Sequence, residues 1–475
     1  MQDGSQKLSV VEKVGYGLGD TASNLFFQIT IYFLAYYFTD VYGLKATDLA
    51  LMFLITRIWD AINDPIMGWL ADRANTRWGK YRPFLLWCSV PFGLAFILMF
   101  TVPATNYGGK VAYAYVTYTL MMMVYTAINV PYAALMGVIT PDSIERTTVS
   151  TYRFVLVFIA QFIVQYALPL MVNSFGGGNE SLGYQRAVMV LAAGAAVLFL
   201  VTFLTTRERV RVSPSQQSSF KTNMTDLVGN LPWLLIGGAT VFQLTFIVMR
   251  SSNIQYYFKY VVGGQELHLF GKVYELSGGQ LSSSFMLIGT VATIIGAILT
   301  GLFVNRFGKK TTYAGFMLLT AVTCALVYYL APEQLILLFL LQIATSFSMG
   351  PVSVLQWAIY TDTADYQEWK FGRRSTAFIM AASLFALKLG VAFGGALLGW
   401  ILARYEYVSP IGQTAETMVQ QSETALKGIS LCMSVYPAVI ALGCVVLMAF
   451  YPLNKHNLAQ LESELIERRK SSGCA

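Results

Sequence analysis

Three charged residues, Arg57, Asp60 and Asp64, interrupt an apolar run between positions 51 and 70. Their spacing of three and four places them on one face of a helix, so a guanidinium and two carboxylates share one patch. Paired carboxylates can hold a hard cation through several oxygens, or share a proton. Ionisable side chains at membrane depth are costly and usually mark an ion or substrate path. This patch is the strongest indication of chemistry in the chain.

The composition places these charges in a membrane protein. Of 475 residues, 56% are hydrophobic and 12% are charged, against about 25% charged in soluble domains. Mean hydropathy is +0.55. Apolar runs follow one another along almost the whole chain and leave no room for a separate soluble domain. No cleavable signal peptide is expected, because residues 1–14 are polar and the first apolar stretch continues to 38.

Cysteine and histidine give no sign of a metal site. The five cysteines lack the spacing of a metal-binding pair, and we interpret them as small core residues without disulfides. They are Cys88, Cys324, Cys432, Cys444 and Cys474. His268 and His456 are too far apart in sequence to suggest a shared ligand set. We therefore expect no cofactor other than a coupling ion.

Apolar runs of about 20 residues, the length of a spanning helix, predict an all-α membrane protein with twelve transmembrane helices. The first six are predicted at 14–39, 46–71, 84–103, 110–139, 148–173 and 187–206. The second six are predicted at 228–258, 281–304, 312–331, 334–360, 375–402 and 429–452.

The distribution of Lys and Arg predicts the orientation. The termini and even-numbered loops hold 21 of these residues and the odd-numbered loops hold 7. Both termini are therefore expected in the cytoplasm of a bacterial-type inner membrane. The net charge of +7 is explained by this bias and by anionic lipid headgroups. It gives no sign of nucleic-acid binding, and no obligate protein partner is evident.

The two halves of the chain repeat. Residues 68–73 and 77–80, after the second helix, share a Gly, Asp/Asn-Arg and Gly-Lys order with residues 301–310, after the eighth. The two segments begin 233 residues apart, which indicates two pseudo-symmetric six-helix bundles. We predict bundles at 1–206 and 228–452, a cytoplasmic middle loop at 207–227 and a tail at 453–475. Transporters of this kind bind substrate between their halves.

These loops resemble the signature loops of the major facilitator superfamily. Within it, the segments 57–65 and 77–83 resemble the glycoside–pentoside–hexuronide:cation symporters, the family of melibiose permease, and further matches extend over nearly the whole chain. The resemblance implies a cation site formed by Asp60, Asp64, Thr126 and Lys388, where Lys388 could neutralise the carboxylates when no cation is bound. A salt-bridged polar core without a coupling role is the alternative reading of the same residues.

The resemblance also implies a sugar site between the halves. Asn24 and Asn129 match aspartates of melibiose permease, so melibiose itself becomes doubtful as a substrate, although amides still bond sugar hydroxyls. Arg153 matches a family sugar-site arginine. The remaining candidates for substrate binding are Asp20, Arg250, Gln356 and Trp357.

The charged side chains predicted to lie deep in the membrane suggest one further hypothesis. The predicted helices hold four cationic and three anionic side chains at depth, an excess of one positive charge. With Asn at both sugar positions, an acidic sugar such as a uronide would be tolerated or preferred. Arg250 could instead extend outward from its helix end.

Charged residues near the predicted cytoplasmic ends are candidates for salt bridges that close the inner side. They are Asp72, Arg73, Arg77, Arg146, Asp362, Asp365 and Glu368. A solvated charged face is the alternative.

Other classes fit less well. Residues 17–20 read Gly-Leu-Gly-Asp, a string found in intramembrane aspartyl proteases, but the other elements of that active site are missing, so we expect no enzyme. A passive sugar facilitator would not need the intact cation set. A lysolipid-type symporter would need a more apolar cavity than the Asn, Gln and Arg side chains predict. The sugar, the choice between Na⁺ and H⁺, and the oligomeric state are not readable from the sequence.

Overall fold

Twelve long helices, α1 to α12, make up most of the computed structural model, which describes residues 8–74, 76–140, 143–209, 220–269, 272–372, 376–410 and 420–471. The first six are α1 (Val10–Tyr32, then Leu34–Tyr36 and a π-helical turn Tyr37–Val41), α2 (Ala46–Arg73), α3 (Arg82–Met99), α4 (Tyr107–Ile139), α5 (Ser143–Phe162, a π-helical turn Ile163–Ala167, and Leu168–Gly176) and α6 (Glu180–Thr205). The second six are α7 (Leu231–Tyr256 and a π-helical turn Tyr257–Val262), α8 (Gly278–Phe307), α9 (Lys309–Leu326 and a 3₁₀ turn Val327–Tyr329), α10 (Leu335–Phe371), α11 (Thr376–Arg404) and α12 (Glu423–Met433 and Val435–Ala449).

The number and order of these helices confirm the predicted fold class. Ten helices of the described chain are long and apolar enough to cross a membrane. The other two, α1 and α2, are long enough but carry the polar side chains of the candidate sites, among them Asp20, Asn24, Asp60 and Asp64.

The largest difference from the predicted boundaries is at α10, which the hydropathy pattern ends at 360. The helix continues to Phe371, and Gly372 ends it in a left-handed conformation with φ +70°. Charged side chains close the apolar run after 360, but they do not interrupt the backbone hydrogen bonds of a helix.

The chain divides into two compact units. One contains Met1–Pro214 together with Tyr407–Gln420, and the other contains Ser215–Glu406 and Gln421–Ala475. The first unit holds α1 to α6 and the second holds α7 to α12, and part of the connection between α11 and α12 groups with the first unit. There the Tyr407 hydroxyl donates to Asp40, and the Ser409 hydroxyl donates to the Leu44 carbonyl at 2.6 Å.

The repeat is visible in a second place, at the ends of α1 and α7. Residues 36–43 read YYFTDVYG and residues 256–263 read YYFKYVVG, 220 residues later. Both helices end in a π-helical turn, at Tyr37–Val41 and Tyr257–Val262. Each turn is followed by a glycine with positive φ, 91° at Gly43 and 68° at Gly263. The same local sequence thus gives the same helix ending in both units.

Three elements lie outside the predicted twelve-helix pattern. Residues Gln265–Leu269 and Lys272–Leu276 form an antiparallel hairpin between α7 and α8. A short helix, Phe220–Val228, precedes α7. A C-terminal helix, Lys455–Ser471, forms within the predicted tail. It packs against the rest of the second unit, and its Leu461 and Leu465 are buried in the hydrophobic core of that unit.

In the second unit α8 and α10 approach each other at two glycines. A Cβ on Gly296 would lie 2.1 Å from the Phe347 carbonyl oxygen, and one on Gly350 would lie 2.3 Å from the Thr293 carbonyl oxygen. The backbones of the two helices therefore touch at a point where only a residue without a side chain fits.

Candidate functional site

The three oxygen-bearing side chains of the predicted cation site come together in the first unit. The Thr126 hydroxyl of α4 lies 2.9 Å from Asp60 Oδ1 and 3.0 Å from Asp64 Oδ1. Asp60 and Thr126 are each 1% exposed. A hydroxyl has one proton, so it cannot donate fully to both carboxylates at once. Three hard oxygens around one point suit a small cation or a shared proton.

The helices explain this convergence. Asp60 and Asp64 are one turn apart on α2, so their carboxylates point to the same side. Thr126 lies on the side of α4 that packs against them. Among the described residues no group of three or more His, Cys, Asp and Glu side chains forms, so further cation ligands would be hydroxyl, amide or backbone oxygens.

The parts predicted for two residues beside this site stay untested. Lys388 lies on α11 in the second unit and is half-buried. Its part in the cation site stays a prediction. The side chain of Arg57 lies outside the described residues.

The predicted sugar-site residues of the first unit form a continuous polar row. Arg153 Nε of α5 is paired with the Asp20 carboxylate of α1. Asn24 Nδ2 donates to Asp20 Oδ1 at 3.2 Å and to the Asp20 carbonyl at 2.9 Å. Gln28 Nε2 reaches Asn24 Oδ1 at 3.4 Å. The spacing of four residues along α1 places Asp20, Asn24 and Gln28 on one face, which the sequence pattern could have shown.

Asn129 is held in place by a neighbour that sequence reasoning missed. Its Oδ1 accepts a hydrogen bond from the Ser23 hydroxyl at 2.8 Å, and its Nδ2 donates to the Tyr125 carbonyl at 2.9 Å. Ser23, which holds the Asn129 side chain, is the residue before Asn24 in α1. The hydrogen bond therefore fixes Asn129 at the α1 position next to Asn24. The first unit therefore brings Asp20, Asn24, Asn129 and Arg153 into one region.

Tyr16 and Tyr132 support the same region from the side. Their rings stack with centres 4.6 Å apart. The Tyr16 hydroxyl donates to the Tyr132 carbonyl at 3.2 Å, and the Tyr132 hydroxyl donates to the Tyr16 carbonyl at 2.8 Å. The Arg153 guanidinium lies 5.9 Å from the Tyr132 ring centre. This arrangement locks α1 against α4 beside the Asp20–Arg153 pair.

Arg250 of α7 does not extend outward from its helix. The residue is 6% exposed, and its guanidinium lies 5.7 Å from the ring centre of Phe285 on α8. Its Nε and Nη2 are buried without a hydrogen-bond partner among the described residues. The outward alternative is therefore wrong. On the same helix, Gln243 Oε1 accepts from the Tyr313 hydroxyl of α9 at 2.7 Å, so it faces the interior of its own bundle.

The two other candidates of the second unit lie on α10. Gln356 is 3% exposed, whereas Trp357 is 42% exposed and packs edge-on against Tyr360 with ring centres 6.0 Å apart. They are neighbours in sequence but point to different sides of the helix.

The charged residues predicted to gate the inner side are only partly described. Lys309 Nζ donates to both oxygens of Asp362, at 2.7 and 2.8 Å, within the second unit. Asp365 and Glu368 are half-buried on the same helix, and Arg73 and Arg77 are exposed. The side chains of Asp72 and Arg146 lie outside the described residues. A gating role for this set stays a prediction.

Sequence reasoning also missed Glu208, which follows α6. Its carboxylate accepts backbone N–H bonds from Lys80 at 2.8 Å, Tyr81 at 2.7 Å and Arg82 at 2.9 Å, at the start of α3. Nearby, a side-chain hydrogen bond to Glu12 raises the pKa of Arg209, so the guanidinium stays charged beside this carboxylate. No local sequence signal joins a glutamate to amides more than a hundred residues away.

Comparison with known proteins places the chain in a family. Residues 15–455 match the family described as "MFS/sugar transport protein". The chain is 36% identical to the putative glycoside/cation symporter YagG of Escherichia coli K12, covering 98% of this chain and 97% of that protein. It is 32% identical to the isoprimeverose transporter of Lactiplantibacillus pentosus (86% and 83%) and 31% to the glucuronide carrier protein homolog of Escherichia coli K12 (98% and 97%).

Solved structures support the fold. A bacterial homologue of the human lysosomal transporter Spinster, facing inward, aligns with a TM-score of 0.62 at 14% identity, over 95% of this chain and 97% of that one. A bacterial homologue of the peptide transporters PepT1 and PepT2 aligns with a TM-score of 0.64 at 11% identity, over 96% and 99%. The fold and the comparisons together define a multi-pass membrane transporter, not an enzyme. The chain belongs to the glycoside–pentoside–hexuronide:cation symporter family of the major facilitator superfamily.

Proposed function

We propose that the chain couples a cation, Na⁺ or H⁺, to the uptake of a sugar or glycoside by alternating access. The observation that carries this proposal is the Thr126 hydroxyl placed within 3.0 Å of both α2 carboxylates, Asp60 and Asp64. An uncoupled carrier needs no such cluster of oxygens at membrane depth. The names of three relatives, a putative glycoside/cation symporter, an isoprimeverose transporter and a glucuronide carrier homologue, support a carbohydrate cargo.

In this mechanism the cation neutralises the α2 carboxylates and the sugar binds the polar row. Asn24 and Asn129 offer amide donors and acceptors to sugar hydroxyls, and the Asp20–Arg153 pair offers charged ones. Lys388 would compensate the carboxylates when no cation is bound. Coupling follows if each ligand favours the conformation that the other needs, which makes the effect reciprocal in binding free energy. The halves would expose the site to each side in turn.

The substrate class proposed from the charges is an acidic sugar such as a uronide. Arg250 Nε and Nη2 have no hydrogen-bond partner among the described residues, and they form the edge of the guanidinium that binds a carboxylate with two parallel bonds. A competition experiment tests the preference for an acidic sugar. Excess unlabelled glucuronide should reduce uptake of a labelled uronide more than a neutral glucoside does, and equal competition by the neutral glucoside would contradict the preference.

The first experiment is uptake in right-side-out membrane vesicles, with a Na⁺ gradient and a pH gradient imposed separately. Wild type should accumulate a labelled glycoside against its gradient with one of the two ions. Asp60→Asn should keep only downhill exchange, because the site loses a charged ligand. If Asp60→Asn accumulates sugar normally, the carboxylate pair is structural.

The same assay separates the two rival functions. Uptake that no ion gradient drives would favour an uncoupled sugar facilitator. Competition by a lysolipid without competition by any glycoside would favour an amphiphile symporter. A bacterial inner membrane with both termini in the cytoplasm remains the proposed location.

A further inference from the structure

Each half of the chain has the same Gly-Lys turn before its third helix, but the two turns are occupied differently. In the first half Gly79 has φ +113°, and the three amides that follow it donate to the Glu208 carboxylate. A Cβ on Gly79 would lie 2.6 Å from that carboxyl group. Free amides at a helix start bind anions, and here the protein supplies its own.

In the second half, no carboxylate among the described residues accepts from the amides of the corresponding turn. Gly308 has φ +78° and precedes Lys309, the first residue of α9. The amides of Lys309 and Lys310 have no hydrogen-bond acceptor among the described residues, and no side chain caps the helix. The residue that lies against Gly308 is Lys455, at 3.3 Å from a Cβ built there. A basic residue thus stands where the first half has the acidic Glu208.

A cavity of about 220 Å³ opens at this turn, entirely within the second unit. Its wall includes Gly308, Lys309, Asp362, Tyr451 and Lys455. Tyr451 is 2% exposed, and its hydroxyl has no hydrogen-bond partner among the described residues. Burial raises the pKa of Tyr451 well above its ordinary value, so the hydroxyl keeps its proton and can donate. A buried donor without an acceptor is costly unless a ligand supplies one.

The charges of the cavity favour an anion. Both oxygens of Asp362 accept from Lys309 Nζ. Lys310 Nζ donates to the Ala449 carbonyl and Lys455 Nζ to the Asn305 carbonyl, each at 2.9 Å, so neither is neutralised by a carboxylate within the described part of the chain. In the cavity wall, Lys309 and Lys455 against Asp362 leave one positive charge at the start of a helix, where the helix dipole adds to it. Lys310, the next residue of α9, adds a further positive charge outside the wall.

We propose that this cavity, the α9 anion site, binds a phosphate group, carried either by a soluble phosphate compound or by an anionic phospholipid. Backbone amides, two lysines and a tyrosine hydroxyl provide donors from several directions, which suits a tetrahedral oxyanion better than a planar carboxylate. Because Lys455 begins the C-terminal helix, the bound group would join that helix to the start of α9. The site is separate from the residues proposed to bind the cation and the sugar, and its wall shares Asp362 with the predicted gating set.

The test measures the melting temperature of the purified full-length protein in two arms. In the first, sodium phosphate is titrated against sodium chloride at equal ionic strength. In the second, the protein is held in nanodiscs of phosphatidylcholine with or without phosphatidylglycerol. We expect the melting temperature to rise to a plateau in one arm, by more than it does with chloride or with the neutral lipid.

Two variants assign the effect to the site. Lys455→Glu places a carboxylate beside the Gly308 turn, as Glu208 does beside the Gly79 turn. This variant should therefore have a higher melting temperature without ligand and should show no further rise with phosphate or phosphatidylglycerol. Tyr451→Phe removes one hydroxyl that has no partner among the described residues, so basal stability should hold while phosphate affinity falls about tenfold. Lys427→Ala, on the first segment of α12, serves as a matched control and should respond as wild type does.

Each outcome is decisive. A saturable shift with inorganic phosphate identifies a soluble ligand, and a shift with phosphatidylglycerol alone identifies the lipid headgroup. No shift in either arm, or an equal shift in Tyr451→Phe and wild type, overturns the proposal, and Tyr451→Phe carries the test if Lys455→Glu fails to fold. Since none of these experiments measures transport, failure of this proposal and failure of the proposed function are distinguishable.

Discussion

Thr126 is the residue on which the α2 carboxylates depend, because its single hydroxyl lies between them. When no cation is present, the buried Asp60 carboxylate and the half-buried Asp64 carboxylate repel each other, and the Thr126 hydroxyl can donate its proton to only one of them at a time. A bound cation or an added proton removes that conflict. The hydroxyl can then act as a ligand or as a single donor.

Removing this hydroxyl should weaken cation binding. Thr126→Val keeps the shape of the side chain and should lower the apparent cation affinity about tenfold, while Thr126→Ser should stay near wild type. The measurement is the cation dependence of uptake at a fixed sugar concentration. Thr117→Val on the same helix is the control, because the Thr117 hydroxyl bonds only backbone carbonyls. Equal behaviour of the two valine variants would exclude Thr126 as a ligand.

The Asp20–Arg153 pair should show strong coupling between its two members. Asp20→Asn leaves the half-buried Arg153 guanidinium without this partner, and Arg153→Gln leaves the buried Asp20 carboxylate without it, so each should lower the yield of folded protein. The double variant should recover much of that yield but not transport, because both charged groups are gone. Folded protein is measured by size-exclusion chromatography and transport by vesicle uptake. Additive losses in the double variant would show that the two residues act independently.

Residue identities were more predictable than residue partners. The spacing of Asp60 and Asp64 required a shared helix face, and the resemblance added Thr126. Nothing in the sequence paired Asp20 with Arg153, because the contact joins α1 to α5 across more than a hundred residues. The direction of Arg250 was equally open, since a helix position near an apolar end permits a side chain to turn either inward or outward.

At the scale of elements, the contact between α8 and α10 depends on residues without side chains. Gly350→Ala places a methyl group against the Thr293 carbonyl and the Ala297 amide, at 2.3 and 2.4 Å, so the helices must separate. We expect a loss of about 1–3 kcal/mol, the usual cost of overpacking. Thermal unfolding in detergent measures it.

The matched control for this change lies on α8 itself. A Cβ on Gly301 would meet no heavy atom within 4 Å, so Gly301→Ala should be tolerated or slightly stabilising through its helix propensity. Comparable destabilisation in both variants would mean that helix flexibility, not close approach, explains the glycines.

Helices were predictable and their irregular connections were not. Apolar runs fix the membrane segments because an unpaired backbone cannot lie in lipid. The hairpin at Gln265–Leu269 and Lys272–Leu276 and the C-terminal helix are short and polar, so hydropathy gives no signal for them. The C-terminal helix is anchored by contacts that only the fold reveals, such as the bond from Trp369 Nε1 to Glu464 Oε2 at 2.7 Å.

At the scale of the whole molecule, the Lys and Arg bias makes a topological prediction. Epitope tags at both termini should be protected from protease in right-side-out vesicles and digested once the membrane is opened. A tag inserted between α7 and α8, within the hairpin, should be accessible from the start. Digestion of a terminal tag in intact vesicles would reverse the proposed orientation.

The polar row on α1 has a thermodynamic consequence for any ligand that uses it. Asn24 Nδ2 already donates to Asp20, so a ligand hydroxyl that accepts from this amide replaces an internal hydrogen bond instead of adding one. Recognition is then an exchange with a small net enthalpy, which calorimetry would register as weak heat. Modest affinity of this kind permits rapid release, and a carrier that held its cargo tightly would complete few cycles.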